Sequence, residues 1–209
     1  MPTQADLDAA SVYSSIMEEA KFRALSINTI TSSGVGLPVP LLREYGFLQL
    51  RMLCELIALG CLVAHGDIEG TKASVLQNEY KAGVIVKRLE KLHPKFYPSP
   101  RNLIFSPGHP GHVHLDDYDR EFLTKGELLT LYGRCGDVLH RGSLRDLLDP
   151  KNQPPTHFRD IQDWGQKILN LLSVHLISRV GGNFHFLVAL EAPQTGGNVL
   201  VSVAESPKS

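Results

Sequence analysis

LLREYGFLQLRMLCELIALGCLVAH, residues 41–65, is the longest apolar stretch of this chain and the one whose reading decides its architecture. It has the length of a long helix, and Glu44, Arg51 and Glu55, seven and four residues apart, fall along one side of it. Nearly every other face carries Leu, Ile, Phe, Met, Val or Cys. A helix apolar almost all round is a central core helix with neighbours on most sides. Arg51 and Glu55 are spaced to pair along it. Their strip is expected to face solvent or a subunit boundary. In a sharper reading it lines a polar cleft whose other wall is the fourth helix. The stretch is about long enough to span a membrane, but Arg51 and Glu55 would fall inside the span and no aromatic belt or basic flank follows. A soluble core helix, with no membrane partner, is the expectation.

Working outward, residues 6–30 place Ala9, Tyr13, Ile16, Ala20, Ala24 and Ile27 at helical spacing, and the breaker run SSGVGLPVP closes that helix. Residues 71–92 read as a third helix, with Val75, Leu76, Ala82, Ile85, Val86, Leu89 and Leu92 on its apolar side and Pro94 as its stop. Residues 94–119 carry Pro94, Pro98, Pro100, Pro107 and Pro110, which excludes a long helix and any central strand. One short strand at 102–106 fits inside this excursion. Thr124 followed three residues later by Glu127 is a capping box, opening a fourth helix that runs to about Leu139. Residues 156–180 read as the last long helix, ended by Gly181 and Gly182. The period then changes to two: FHFLVALEA and NVLVSVAES flank the turn-rich PQTGG, a hairpin pattern. The expected fold is all-α: a bundle of about five helices with a C-terminal β-hairpin appendage. The helical domain would be residues 1–180, with the Pro-rich excursion at 94–119. The hairpin, 183–206, would pack on it.

A formal net charge of −1 gives no bulk attraction to nucleic acid or anionic membrane, so any such contact must rest on a local patch. Three Cys without paired spacing argue against a disulfide framework and fit a reducing, cytoplasmic setting. The first residues, MPTQADLDAASVY, are acidic and polar where a secretory signal would need a basic start and an apolar run.

Two stretches carry candidate chemistry. In GHPGHVHLDD, residues 108–117, His112, His114 and Asp116 share one side of an extended segment, usable metal-ligand geometry, with His109 nearby. HVHLDD is similar to the HxHxDH run of metallo-β-lactamase-like hydrolases, except that Asp117 stands at the position of the final His. In LYGRCGDVLHRGS, residues 131–143, Arg134 and His140 are separated by five residues at the end of a helix late in a helical chain. Here the chain resembles the HEPN superfamily, all-α domains whose ribonuclease members carry Arg, four to six residues, then His. Cys135 stands where a polar residue often follows the family's Arg. The resemblance covers residues 41–180 and implies a homodimer, an RNA substrate and a toxin or defence setting with an antitoxin or regulatory partner.

That resemblance implies metal-independent RNA cleavage without a cofactor. His140 would move the protons near neutral pH, and Arg134 would hold the phosphate with its planar fork of donors. Arg141 and Arg145 would add local positive charge for nucleic acid, and Arg51 and Glu55 would support the site. On a continuous helix, positions six apart differ by roughly 120° and about 9 Å, so Arg134 and His140 converge only if the helix breaks at Gly136 or Gly142, or if two copies face each other. The alternative is a non-catalytic helical interaction or regulatory module in which His140 caps a helix end. A third reading is a metal-dependent hydrolase using His109, His112, His114 and Asp116.

Overall fold

A computed structural model of the chain describes residues 2–32, 36–66, 68–72, 76, 78–105, 113–140, 155, 157–179 and 184–205. Its helices are α1 (Gln4–Ser32), α2 (Val39–Ala64), α3 (Ala82–Leu92), α4 (Lys125–Leu139) and α5 (Arg159–Leu172). Its strands are β1 (Ser99–Phe105), β2 (Val113–Asp117), β3 (Val174–Ser178), β4 (Phe184–Ala189) and β5 (Leu200–Glu205). They form one antiparallel sheet in the order β2-β1-β3-β4-β5. The fold is therefore mixed α/β, and the expectation of an all-α bundle with a hairpin appendage is overturned.

Local chemistry explains each departure. Residues 174–178, VHLIS, were expected to continue the last helix. Instead the chain turns at Ser173, and Val174–Ser178 alternate half-buried and buried as a strand paired along its length with β4. Two β-branched residues in five favour that pleated surface. The hairpin is thus not an appendage but two strands of a five-stranded sheet that β3 continues. The Pro-rich excursion also joins it. Pro100 has no N–H to give, but it sits where β1 meets β3 over Ser99 and Pro100 only. Residues 101–105, free of proline, then pair with β2. A central strand is possible because the proline lies at the hand-over between two neighbours. Of the expected third helix, residues 71–92, Ala82–Leu92 is helical and residues 78–81 are not, while Glu69–Lys72 forms a 3₁₀ turn ahead of it.

Several expectations hold. Thr124 and Glu127 form the reciprocal capping box at the start of α4. β4 and β5 pair as a hairpin around a 3₁₀ turn at Pro193–Thr195, and Gly196 and Gly197 adopt φ of 67° and 89°, which favour glycine. α2 is the central helix. Phe47, Leu50, Leu53, Cys54, Ile57 and Cys61 are buried on its inner side. Each fully buried large side chain contributes roughly 1.5–3 kcal/mol over leaving it exposed. α2 is also long and apolar enough to cross a membrane, and 61% of its most apolar window is buried in the fold.

Two glycines let neighbours approach α2 closely. A Cβ at Gly46 would stand 3.0 Å from Ile161 Cδ1 of α5, and one at Gly60 would stand 3.1 Å from the Tyr13 ring of α1. At that crossing the Tyr13 hydroxyl donates to His175 Nε2 (2.8 Å), and His175 Nδ1–H donates to Leu172 O (2.9 Å). The buried helix-to-sheet contact is thus fully hydrogen-bonded. Lys21 Nζ donates to Gly197 O (2.9 Å), and the Arg179–Asp6 ion pair ties the end of β3 to the start of α1.

Candidate functional site

The charged side chains of the chain's middle gather along one flank of α2, where α4 and the start of α5 meet it. Arg43, Phe47, Arg51 and Glu55 recur every four residues, so they rise one above another on that flank. α4 faces them with Tyr132, Arg134, Cys135 and Gly136. The fourth helix thus meets Arg51 and Glu55 of the polar strip through Tyr132.

Two linked groups result. In the first, Arg51 Nε lies 3.3 Å from Glu55 Oε1, and Arg51 Nη2 donates to the Tyr132 hydroxyl (3.1 Å), which donates to Glu55 Oε1 (3.1 Å). The Arg51 guanidinium also stacks over the Tyr132 ring, 4.7 Å from its centroid. Burial, and then the Glu55 carboxylate, push the Tyr132 phenol up to about 12, so it stays protonated and donating.

In the second group, Arg43 grips Asp160 of α5 with both terminal nitrogens (2.9 and 2.8 Å) and also donates to the backbone carbonyl of His157. Arg134 Nη2 adds a third bond, to Asp160 Oδ2 (2.8 Å). Both guanidiniums lie over Phe47, 5.6 and 5.5 Å from the ring centroid. The hydrogen bonds from Arg43, aided by the charges of Arg43 and Arg134, hold the Asp160 carboxyl below its ordinary value despite burial. Asp160 also sits in the first turn of α5, where a carboxylate suits the helix dipole.

The sequence-derived candidates separate. Arg134 is on this flank, its side chain 45% exposed and engaged by Asp160. His140 is the C-cap of α4, exposed, with its backbone N–H on Gly136 O. Helix α4 runs unbroken through Gly136, so one copy of the chain does not fold Arg134 and His140 onto a common point. Cys135, between them, is buried, and burial pushes its thiol up to about 12 although Arg51 and Arg134 pull it down, so it is no activated nucleophile. Arg141 and Arg145 lie outside the described residues.

At the far edge of the sheet, His114 and Asp116 sit side by side on β2, with Nε2 2.9 Å from Oδ1, and both are exposed. His109 and His112 lie outside the described residues. Among the described residues, no three His, Cys, Asp or Glu side chains gather as metal ligands.

Sequence reasoning missed Arg43, Phe47 and Asp160. The available signal was the four-residue recurrence of Arg43, Phe47, Arg51 and Glu55, which carries the charged strip back to Arg43 and Phe47. Asp160 stands 117 residues from Arg43, and nothing local connects them. Comparison with known proteins gives no matching family model, no similar characterised protein and no similar solved structure.

Proposed function

We propose that this chain is a non-catalytic interaction module, in which the α2–α4–α5 charged flank is architectural and the protein acts by binding another macromolecule. One observation carries the reading. The guanidinium that would have to hold a phosphate, Arg134, is already bonded to Asp160, a carboxylate it shares with the buried Arg43. A phosphate arriving there would meet Asp160 as well as Arg134, and freeing Arg134 would break a charge-assisted bond. In the same copy the acid/base candidate, His140, is on the exposed end of the helix.

The test is RNA cleavage in EDTA by the wild type beside His140→Ala and Arg134→Ala. The module reading expects no cleavage by any of the three while all remain folded by circular dichroism. Cleavage by the wild type that His140→Ala abolishes, leaving 2′,3′-cyclic phosphate ends, overturns it in favour of a metal-independent endoribonuclease. The exposure of His140 favours that second reading, which would build the site across two copies.

A further inference from the structure

The outer side of α2 does not resemble its inner side in surroundings, although it is nearly as apolar. Leu41, Tyr45, Leu48 and Met52 follow one another at spacings of four, three and four. That is the a/d pattern by which one helix seats side chains into the holes of another. The stripe lies between the two helices that flank α2. On one side Gln49 accepts from Arg23 of α1 (2.9 Å), and on the other Arg51 meets Tyr132 of α4. Neither neighbour covers it: Leu37, Leu41, Tyr45 and Leu48 are 40 to 54% exposed, and only Met52 is half-buried.

We propose that this stripe is an isologous dimer seam, in which α2 packs antiparallel against α2 of a second copy of the chain. The inference rests on the interaction-module reading and names its partner. Three features select a second copy. The spacing selects a helix. The exposed apolar side chains present on the order of 400 Å², about half of the roughly 800 Å² that each partner of a standard interface buries, which suits the apolar centre of such an interface. The third feature is charge. Glu44 and Arg51 stand seven apart on the same edge of the stripe, with opposite sign. An antiparallel second copy stacks Tyr45 on Leu48 and Leu41 on Met52, and sets each Glu44 beside the other copy's Arg51, every contact occurring twice by symmetry. A parallel copy would set Glu44 beside Gln49 and forgo both ion pairs. Arg51 keeps its contact with Glu55 in this arrangement, so the seam extends the charged cluster of the α2–α4 flank across the dyad.

Sedimentation equilibrium of the full chain and of Leu41→Glu/Leu48→Glu tests the seam. Both changes are at exposed positions, so the variant should keep the wild-type circular dichroism. The expected result is a wild-type dimer and a variant weakened at least about 30-fold in Kd. For direction, chains carrying Tyr45→Cys and chains carrying Leu48→Cys are mixed and oxidised. The antiparallel seam expects the 45–48 heterodisulfide to dominate over 45–45 and 48–48 species. A monomeric wild type, a folded variant that dimerises as well as the wild type, or dominant 45–45 and 48–48 species each overturns the proposal. RNA cleavage in EDTA, run on the same samples, separates the two failures. A monomer that cuts nothing ends the seam and leaves the module reading. A cutting dimer whose seam variants dissociate ends the non-catalytic reading and leaves the seam.

Discussion

The inner and outer sides of α2 are built from the same residue types and have opposite surroundings. Phe47, Leu50, Leu53 and Ile57 are buried on the side where α1, α3, α4 and α5 pack against α2, while Leu41, Tyr45 and Leu48, one turn or less away, stand open. The difference lies in what the neighbours contribute. On the inner side Gly46 and Gly60 let Ile161 and Tyr13 come against the helix backbone. On the outer side α1 and α4 end in polar contacts, Arg23 with Gln49 and Tyr132 with Arg51, which hold each flanking helix at the rim of the stripe. Apolar composition all round therefore does not mean burial all round within one copy.

That contrast can be broken from either side. The largest effect is expected from Phe47→Ala, which removes a fully buried ring and the face on which two guanidiniums lie: a loss of about 3–5 kcal/mol in urea denaturation. Next is Arg43→Ala. It removes a buried guanidinium and leaves the half-buried Asp160 to Arg134 and the Ile161 N–H, at a cost of about 3 kcal/mol. A folded variant that loses less than about 1 kcal/mol would show the pair to be incidental.

The Tyr13–His175 contact gives the same inner side a pH signature. Burial pushes the His175 imidazole down to about 4 from its ordinary 6.5, so the folded state keeps it neutral where the unfolded chain is protonated. Between those values the unfolded state binds the extra proton, and stability falls as pH falls. The loss accumulates to about 3 kcal/mol by pH 4. His175→Gln should flatten that part of the stability–pH curve, and an unchanged slope would remove His175 as its source.

Smaller effects sharpen the comparison. Tyr132→Phe deletes the hydroxyl between Arg51 and Glu55 and should cost about 1 kcal/mol, with the fold unchanged by circular dichroism. On the outer stripe Leu48→Ala, measured under conditions that hold the chain monomeric, should move stability by no more than about 0.5 kcal/mol.

Much of the helical half was legible in the sequence, because its signals are local. The capping box at Thr124, the spacing of α1 and the apolar run of α2 each fit within a few turns. The sheet was legible at β4 and β5, where a turn-rich segment separates two alternating runs, and in part at β1, where a short strand at 102–106 was expected. β3 was missed because His175 and Leu176 follow Leu171 and Leu172 at spacings of four that also suit a helix, and five residues are too few to separate the two periods. A central place for β1 was excluded on account of its proline, whose position at the hand-over between β2 and β3 depends on long-range pairing. The same limit hid Asp160 from Arg43 and Arg134. The clustering of charges on α2 could be read, but not the carboxylate that neutralises them.

The claim that α2 has an inner side for folding and an outer side for association is tested most directly by thermal unfolding across about a hundredfold range of protein concentration. If the outer stripe is a dimer seam, the wild-type midpoint rises with concentration, because association stabilises only the folded chain. The midpoint of Leu41→Glu/Leu48→Glu then stays constant. A wild-type midpoint as flat as that of the variant would contradict it.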